Sequence, residues 1–320
     1  MFFSVIIPVY NRPQELQELL KSLTNQSFSD FEVLVMDDGS TIKSDSIVNS
    51  FQKDLNINYV HQPNQGQGFA RNDGMKLAQG SFFVILDSDV VLPQNYLSLL
   101  KTAIQERFLD AFGGPDAAAQ DFSTLQKAMN FAMTSFWTTG GIRGKLKDPS
   151  KYQARGFNMG VSRKVFEKLG GFVDPNKGED IEWSIRIKKA GFKLELVEEA
   201  YVFHKRKNNL ISFAKQAFSF GQNRVNVSRF HSEAIKLVHL MPFFFLLFCL
   251  ATPFAFFLNK TIFYLQVGVL FTWATAIVLQ ATLQSKSISV GVLSLITSVV
   301  QLFSYGLGLA LEWVKKTLKG

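Results

Sequence analysis

The chain has 320 residues and a formal net charge of +8 at pH 7, from 34 Lys and Arg residues against 26 Asp and Glu residues. Between Leu237 and Leu311 only Lys260 and Lys286 are charged, which excludes that stretch as the surface of a soluble domain. We therefore predict a charged globular part over residues 1–204, a basic segment over 205–236 and a transmembrane region of two or three spans over 237–313.

The first 110 residues alternate between strand and helix patterns. Short apolar, β-branched runs indicate buried strands, and leucines three or four residues apart indicate amphipathic helices. This alternation predicts an α/β fold with a mostly parallel sheet and helices on both faces. The predicted strands are Ser4–Val9, Phe31–Met36, Ile57–Val60 and Phe82–Leu86, and the predicted helices are Arg12–Leu23, Ile47–Lys53, Phe69–Ala78 and Asn95–Arg107.

After Ala111 the alternation loosens. An apolar helix is predicted over Leu125–Trp137, as part of the core or as a lid over the acceptor. Further along the chain we predict a helix over Glu179–Lys189 and short strands over Leu194–Val197 and Tyr201–Phe203.

Residues 205–236 carry seven basic side chains and one acid, Glu233. A basic run before an apolar segment marks the cytoplasmic side and attracts anionic membrane lipids. Because the cluster sits where the membrane begins, no nucleic-acid partner is expected. Asn208–Arg229 is predicted to form one or two amphipathic helices in the membrane interface, with a solvated linker helix as the alternative.

Three apolar segments follow, Leu237–Leu258, Thr261–Leu283 and Ile288–Trp313, before a basic tail over residues 314–320. The N-terminus shows no signal-peptide pattern, so we expect a multi-pass protein of the cell membrane with a cytosolic front part. Three spans would put the basic tail outside, against the positive-inside rule. A broken or re-entrant first segment, bracketed by Pro242 and Pro253, would return the tail to the cytosol; both options stay open.

The single cysteine, Cys249, excludes an intrachain disulfide.

Acidic residues follow two predicted strands and open a predicted helix. Asp37 and Asp38 come after Phe31–Met36, Asp87 and Asp89 after Phe82–Leu86, and Gly178-Glu179-Asp180 begins the later helix. In an open α/β sheet, ligands bind at the carboxyl ends of the strands. Paired carboxylates there suit Mg²⁺ or Mn²⁺ bridged to substrate phosphates. Each motif alone is weak, since an Asp-Gly pair also makes turns and an acid also stabilises a helix N-terminus.

Together, and in this order, these motifs resemble the catalytic domain of family-2 inverting glycosyltransferases, which have the GT-A fold. The resemblance covers residues 1–204 and is carried by Val5-Ile-Ile-Pro-Val-Tyr-Asn11, Val35-Met-Asp-Asp-Gly-Ser40, Gly66-x-Gly-x-Ala-Arg-Asn72, Asp87-Ser-Asp89 and Gly178-Glu-Asp-x-Glu-Trp183. More loosely, the C-terminal third is similar to membrane members that build bacterial exopolysaccharides or lipid-linked glycans.

The resemblance implies a role for each matching residue. It implies that Asp38 accepts a hydrogen bond from the base, usually uracil, that Arg71 faces the nucleotide and that Asp180 is the general base. It implies a divalent metal, Mg²⁺ or Mn²⁺, held by Asp89, and it places Asp87 at the ribose of the nucleotide sugar or at the metal. The remaining residues that it places at the nucleotide sugar are Pro8, Tyr10, Asn11 and Ser88.

Four further residues are candidates for acceptor or accessory roles. Glu179 is expected either to contact the acceptor or to support its loop, and Trp183 either to pack or to stack on the acceptor. Asn158, with Arg155, falls in a predicted loop that resembles the family's acceptor-side segment. His204 follows a predicted strand and is expected either to reach the metal or to be structural.

The chain departs from processive synthases, which carry Gln-x-x-Arg-Trp on an interfacial helix. The nearest segment here, Gln222-Asn-Arg-Val225, has no tryptophan, so polymer extrusion is disfavoured. The leading expectation is transfer of one sugar from a UDP-sugar to a hydroxyl of a lipid-linked glycan. Transfer to a polyprenyl phosphate, which needs no base, and a non-enzymatic membrane protein that kept the fold are the alternatives. The sequence predicts neither the sugar nor the oligomeric state.

Overall fold

The computed structural model describes residues 1–117, 122–140, 148–173, 177–204 and 209–319, which fall into two units. The first unit contains residues 1–117, 148–173 and 177–204, and the second contains residues 122–140 and 209–319. Part of the predicted basic segment, Lys205, Arg206 and Lys207, lies outside the described residues.

The strands all belong to the first unit. They are β1 (Phe3–Val9), β2 (Phe31–Asp38), β3 (Ile57–Gln62), β4 (Phe82–Leu86), β5 (Val90–Val91), β6 (Ala111–Gly113), β7 (Asp116–Ala117), β8 (Asn158–Ser162), β9 (Leu194–Leu196) and β10 (Val202–His204).

The helices, in chain order, are α1 (Pro13–Thr24), α2 (Asp45–Ser50), α3 (Gln67–Leu77), α4 (Tyr96–Arg107), α5 (Thr124–Thr134), α6 (Phe136–Thr139), α7 (Arg163–Leu169), α8 (Glu179–Lys189), α9 (Leu210–Phe230), α10 (Leu237–Leu258), α11 (Lys260–Ser285) and α12 (Ile288–Lys319). Of these, α5, α6 and α9 to α12 belong to the second unit.

Among the described residues, the main sheet has seven strands in the order β3-β2-β1-β4-β8-β6-β9. Strands β3, β2, β1 and β4 run parallel to one another, whereas β8 runs antiparallel to both β4 and β6. Every residue of β1 and β4 is buried, as expected for a sheet covered on both faces. The prediction of a mostly parallel α/β sheet is confirmed.

A smaller sheet joins distant segments of the first unit. In the described residues it has the order β5-β10-β7, and its register pairs His204 with Val90. This pairing carries His204 to the segment that directly follows Asp89, although 115 residues separate the two positions in the sequence.

Several short strands escaped the sequence prediction. Strands β5, β6 and β7 have two or three residues each, too few to show a period. Strand β8 was also missed, and Asn158, expected in a loop, is its first residue. The predicted helix over Leu125–Trp137 is two helices, α5 and α6, because Ser135 caps the second one with its hydroxyl.

In the second unit, α10, α11 and α12 are, among the described residues, the three helices long and apolar enough to cross a membrane. Helix α10 is continuous from Leu237 to Leu258 with Pro242 and Pro253 inside it, so a broken first segment, one of the options left open by the sequence, does not occur. The described part of the predicted amphipathic segment forms a single helix, α9, which begins at Leu210.

Candidate active site

The carboxylate of Asp38 accepts two backbone hydrogen bonds at the carboxyl end of β2. Gln65 N–H lies 2.9 Å from Oδ1 and Gly66 N–H lies 2.8 Å from Oδ2. The side chain is 4% exposed. Each carboxylate oxygen has two acceptor positions, so Asp38 retains capacity for a ligand donor while it anchors the loop before α3.

Asp37, its neighbour, is fully buried and belongs to a separate network. It accepts hydrogen bonds from Tyr59 Oη and from Ser40 N–H, the latter at 2.8 Å, and His61 Nδ1 lies 3.4 Å from Oδ1. Burial raises the pKa of Asp37, but these hydrogen bonds outweigh burial and hold the pKa below its ordinary value of 3.8. Asp37 therefore has a structural role, and Asp38 is the carboxylate of this pair that retains capacity for a ligand at the end of β2.

Arg71 on α3 bridges the Asp87 motif and the start of α8. Its Nη2 is 2.6 Å from Asp87 Oδ1 and its Nη1 is 3.3 Å from Glu179 Oε1. The guanidinium also lies 5.4 Å from the Phe172 ring. The side chain is 1% exposed. Burial alone would lower the pKa of Arg71, but the two carboxylates raise it above its ordinary value.

This burial changes the expectation for Arg71. The resemblance implies that it faces the nucleotide, whereas in the structure its terminal nitrogens are directed at Asp87 and Glu179 and its side chain is buried. A buried guanidinium between two carboxylates positions them rather than exposing a donor to a ligand.

Glu179 and Asp180 form the first turn of α8. The helix begins after Gly178, whose φ of +84° is a left-handed conformation that favours glycine. Carboxylates in a first helical turn are stabilised by the helix dipole. Burial and the neighbouring Asp180 raise the pKa of Glu179, while Arg71 opposes that rise. Glu179 also accepts a hydrogen bond from Gln67 Nε2 at 3.0 Å.

Asp180 is partly exposed and lies next to the same arginine. Its Oδ2 accepts a hydrogen bond from Gly156 N–H at 3.1 Å, and its Oδ1 accepts one from Ile181 N–H at 2.8 Å. A Cβ added at Gly156 would lie 2.7 Å from Arg71 Nη1, which shows how closely this backbone approaches the guanidinium. Asp180 therefore has a fixed orientation and free acceptor positions.

Asp89 is held between Arg12 and His204. Arg12 Nη1 is 2.5 Å from Oδ2, and His204 Nε2 is 3.2 Å from Oδ1. Burial raises the pKa of Asp89, but the proximity of His204 and Arg12 prevails and holds the pKa far below its ordinary value. The Phe157 ring stacks on His204 with centroids 4.8 Å apart, and the Phe157 carbonyl accepts a hydrogen bond from Asp87 N–H.

The donors of Asp87, Asp89 and His204 fit a divalent cation. One ligand atom from each lies within 4.8 Å of the others. Among the described residues, His204 Nδ1 is buried without a hydrogen-bond partner, and Asp89 Oδ1 meets His204 Nε2 at 3.2 Å without hydrogen-bond geometry. Leaving such atoms unsatisfied is costly unless a ligand binds them. Two carboxylate oxygens and an imidazole nitrogen suit Mn²⁺, and the carboxylates also suit Mg²⁺.

The residues predicted at the nucleotide sugar differ in exposure. Tyr10 is 51% exposed, whereas Pro8 and Ser88 are buried. Asn11 adopts a left-handed φ of +54°. Its Oδ1 accepts hydrogen bonds from Thr41 Oγ1 and Ile42 N–H, at 3.0 and 2.9 Å. Asn11 thus ties the loop after β1 to the loop after β2.

Two accessory candidates are core residues. Trp183 is completely buried and donates its indole N–H to the Gly170 carbonyl at 3.0 Å, which agrees with packing. Asn158 is completely buried as well; it accepts a hydrogen bond from Tyr96 Oη at 2.6 Å and donates one to the Ala200 carbonyl at 2.8 Å. With its amide engaged in this way, Asn158 faces the core, against the acceptor-side expectation.

The described contacts link Asp38, Asp87 and Asp180 through one chain of neighbours. Gly66 N–H donates to Asp38, and the next residue, Gln67, donates to Glu179. Arg71 then joins Glu179 to Asp87.

Sequence reasoning missed the partners in this arrangement. Arg12 could have been suspected because it follows β1 at the same sheet edge, whereas Gln67 and Phe157 carry no sequence signal.

Comparisons with known proteins identify the family and the fold of this chain. A family model described as glycosyl transferase family 2 matches residues 4–170. An uncharacterized glycosyltransferase from Haemophilus influenzae is 43% identical over 231 residues, covering 62% of this chain and 92% of the relative. A mannosyltransferase from Pyrobaculum calidifontis, solved with GDP-Man and Mn²⁺, is similar in structure, with a TM-score of 0.65 at 19% identity over 93% of this chain and 86% of that one.

Other relatives match over shorter regions. The Campylobacter jejuni GalNAc(5)-diNAcBac-PP-undecaprenol beta-1,3-glucosyltransferase is 38% identical over 34% of this chain and 37% of its own length. Two further glycosyltransferases match over only 15% and 38% of their own length. Because the family model spans slightly more than half of the residues and the fold is GT-A, this chain belongs to glycosyl transferase family 2.

Proposed function

We propose that this protein is a membrane-bound, inverting glycosyltransferase that transfers a sugar from a UDP-sugar to a hydroxyl of a lipid-linked glycan or another acceptor at the membrane surface. The observation that carries the proposal is the Asp87–Arg71–Glu179 bridge. It holds the Asp87-Ser-Asp89 motif, suited to a donor diphosphate, beside Asp180, suited to an acceptor hydroxyl.

Asp180 is the proposed general base. The acceptor hydroxyl must lose its proton as it attacks the anomeric carbon, and a positioned carboxylate contributes typically about 10²- to 10⁴-fold to such a step. The backbone N–H groups of Gly156 and Ile181 hold its carboxylate in place. A single attack, with one base and no covalent intermediate, inverts the anomeric configuration.

Asp87, Asp89 and His204 are the residues proposed to hold Mg²⁺ or Mn²⁺. A bound divalent cation would offset the negative charge that develops on the leaving nucleoside diphosphate. Arg12, at 2.5 Å from Asp89 Oδ2, orients that carboxylate and adds a second positive charge beside the diphosphate. Asp38 and the exposed Tyr10 are proposed to receive the base of the nucleotide.

The acceptor is proposed to be lipid-linked for two reasons. The apolar helices α10 and α11 are suited to anchoring the protein in a membrane. The Campylobacter relative is named for adding glucose to a glycan on undecaprenyl diphosphate. We further propose that the catalytic unit is cytosolic, because the basic residues before α10 favour that side.

The direct test is transfer of radiolabelled sugar into a lipid extract. Membranes containing the full chain are supplied with UDP- and GDP-sugars, with Mn²⁺ or Mg²⁺, and the organic phase is counted. We expect labelled lipid with a UDP-sugar and its loss, by at least about 100-fold, in Asp180→Asn. The matched control is Glu199→Gln, an exposed carboxylate paired with Arg107.

Each outcome bears on a separate part of the proposal. Full activity in Asp180→Asn would exclude it as the base. Label that mild acid releases from the lipid as a free monosaccharide rather than within an oligosaccharide, together with activity in Asp180→Asn, would indicate a phosphate acceptor. If neither nucleotide nor Mn²⁺ binds to the purified protein in calorimetry, the enzymatic proposal is wrong.

A further inference from the structure

Helix α9 is too polar to cross a hydrocarbon core. Its 21 residues include three charged side chains, at the sixth, fifteenth and twentieth positions: Lys215, Arg224 and Arg229. Amides add to this polarity: Gln216, Gln222, Asn223 and Asn226. Charged side chains within a span are costly, so α9 lies outside the hydrocarbon, at the membrane surface or above it.

Helix α12 runs alongside α9 in the same direction. A Cβ at Gly308 would lie 2.1 Å from the Phe218 carbonyl oxygen, and a Cβ at Gly221 would lie 2.1 Å from the Tyr305 carbonyl oxygen. Further along both helices, Lys316 Nζ is 2.8 Å from Ser228 Oγ. Contact from 218 to 228 on α9 corresponds to a length of about 15 Å, so the two helices lie side by side.

The earlier part of α12 is packed against α5. Thr297 Oγ1 donates to the Ala128 carbonyl at 3.0 Å, and Val300 packs against Met129 and Met133. Helix α5 has 11 residues and contains Gln126, Lys127 and Asn130, so it is also unable to span a membrane. Polar helices therefore flank α12 from Thr297 to Lys316, about 28 Å of its length.

The two faces of α12 differ in chemistry. The face toward its neighbours contains the completely buried Ser294, Thr297 and Ser298 together with the buried Leu302 and Leu309. The opposite face is apolar and exposed, and it includes Ile296, Leu307, Leu311 and Val314. Because the buried face is covered by helices too polar for the hydrocarbon, the exposed apolar face is suited to contact with lipid in the plane of the membrane interface.

The first turns of α10 contact the middle of α12. The Phe245 and Phe303 rings are 6.1 Å apart, and a Cβ at Gly306 would lie 2.9 Å from the Pro242 carbonyl oxygen. If α12 crossed the bilayer, residues 303–306 would lie near its centre. The first turns of α10, directly after Lys236, would then also be at the centre, where a helix entering from the surface cannot begin.

From these contacts we propose that α12 lies in the membrane interface, with its apolar face against the lipid acyl chains, and that the α10–α11 hairpin alone crosses the bilayer. The C-terminal tail then ends on the side where α9 lies. This arrangement keeps Lys315, Lys316 and Lys319 on the same side as the basic residues before α10, as the positive-inside rule requires.

The test is the accessibility of single cysteines in the full-length protein. In a Cys249→Ala background, which removes the one native cysteine, three variants are made: Ser46→Cys on exposed α2, Lys260→Cys at the exposed hairpin turn and Gly320→Cys at the chain end. Inside-out and right-side-out vesicles are labelled with a membrane-impermeant maleimide, before and after detergent.

We expect Ser46→Cys and Gly320→Cys to react in the same vesicle preparation and Lys260→Cys to react in the other. Reaction of Gly320→Cys together with Lys260→Cys would mean three spans and overturn the proposal. Reaction of all three from one side would overturn the claim that the hairpin crosses the bilayer.

A second measurement tests the packing directly. Gln222 Nε2 is 3.5 Å from Glu312 Oε2, so Gln222→Cys with Glu312→Cys should be joined by a short bifunctional maleimide in intact membranes. The matched control pairs Gln222→Cys with Lys260→Cys, at the far end of the hairpin, and should give no cross-link. Cross-linking of the control pair alone would contradict the side-by-side arrangement of α9 and α12.

Discussion

Arg71 and Glu179 are 108 positions apart in the sequence, yet Arg71 Nη1 is 3.3 Å from Glu179 Oε1 and both side chains are buried. The same guanidinium contacts Asp87 at 2.6 Å. One arginine therefore neutralises a carboxylate from the Asp87-Ser-Asp89 motif and another from the start of α8. Removing it would leave two carboxylates facing each other in a poorly solvated position.

We expect Arg71→Met to lower the free energy of unfolding by about 3–5 kcal/mol, because breaking a buried ion pair leaves an uncompensated charge. Chemical unfolding of the detergent-solubilised protein measures this. The double variant Arg71→Met/Glu179→Gln should lose less stability than the sum of the losses in the two single variants, since the residues interact.

Arg107→Met, at a partly exposed pair with Glu199, is the control, and its free energy of unfolding should fall by about 1 kcal/mol or less. An additive double variant would contradict the bridge.

Metal binding should depend on both Asp89 and His204. Asp89→Asn and His204→Gln are each expected to weaken Mn²⁺ binding by at least about tenfold, the lower end of the loss seen when outer-shell partners of a metal are removed. Electron paramagnetic resonance of free Mn²⁺ gives the affinity without an activity assay. His61→Gln is the matched control, because His61 lies beside Asp37 and not at the predicted metal site. Equal losses in all three variants would place the ion elsewhere.

The Tyr59–Asp37 hydrogen bond should stabilise the protein in a pH-dependent manner. The pKa of Asp37 in the folded protein lies below its ordinary value of 3.8, so its contribution is complete above pH 3.8 and disappears as the pH falls through the folded-state pKa. Tyr59→Phe removes this bond, and we expect a loss of about 1.5–3 kcal/mol at pH 7, typical of a hydrogen bond to a charged group. That loss should shrink below pH 3.8.

Tyr96→Phe is a suitable control for this pH dependence. Tyr96 donates its hydroxyl to the neutral amide of Asn158, so the loss in that variant should not change between pH 3 and pH 7. Urea unfolding across this range compares the two variants. A Tyr59→Phe loss that is the same at every pH would contradict the ionised state of Asp37.

Close packing of α9 on α12 should make Gly308 intolerant of a side chain. A Cβ there would lie 2.1 Å from the Phe218 carbonyl oxygen, and backbone atoms cannot move aside as a flexible side chain can. We expect Gly308→Ala to cost about 1–3 kcal/mol of stability, as overpacking commonly does, seen as a lower melting temperature in detergent. Gly268→Ala on α11 meets no atom within 4 Å and should be neutral or stabilising. Equal melting temperatures for both variants would exclude the close crossing.

The strand ends could be predicted well because their signal is local. The runs before Asp37 and Asp87 are apolar and β-branched, and parallel strands align their carboxyl ends, so the acids were expected at one edge. Helix α8 was predicted with its observed bounds, Glu179–Lys189, because a glycine precedes the acidic first turn. The missed strand β8 has the sequence Asn-Met-Gly-Val-Ser, in which the apolar alternation is too short to distinguish it from a loop.

By itself the sequence determined the order of the elements, the carboxylates at the strand ends and the apolar third of the chain, because each depends on neighbours a few residues apart. Only the tertiary structure decided which side chain meets which. It placed Arg71 between Asp87 and Glu179, His204 beside Asp89, and α12 along α9. The physical reason is that these pairings join residues between 16 and 115 positions apart or depend on backbone approach at glycines, and no periodicity along one strand or helix encodes them.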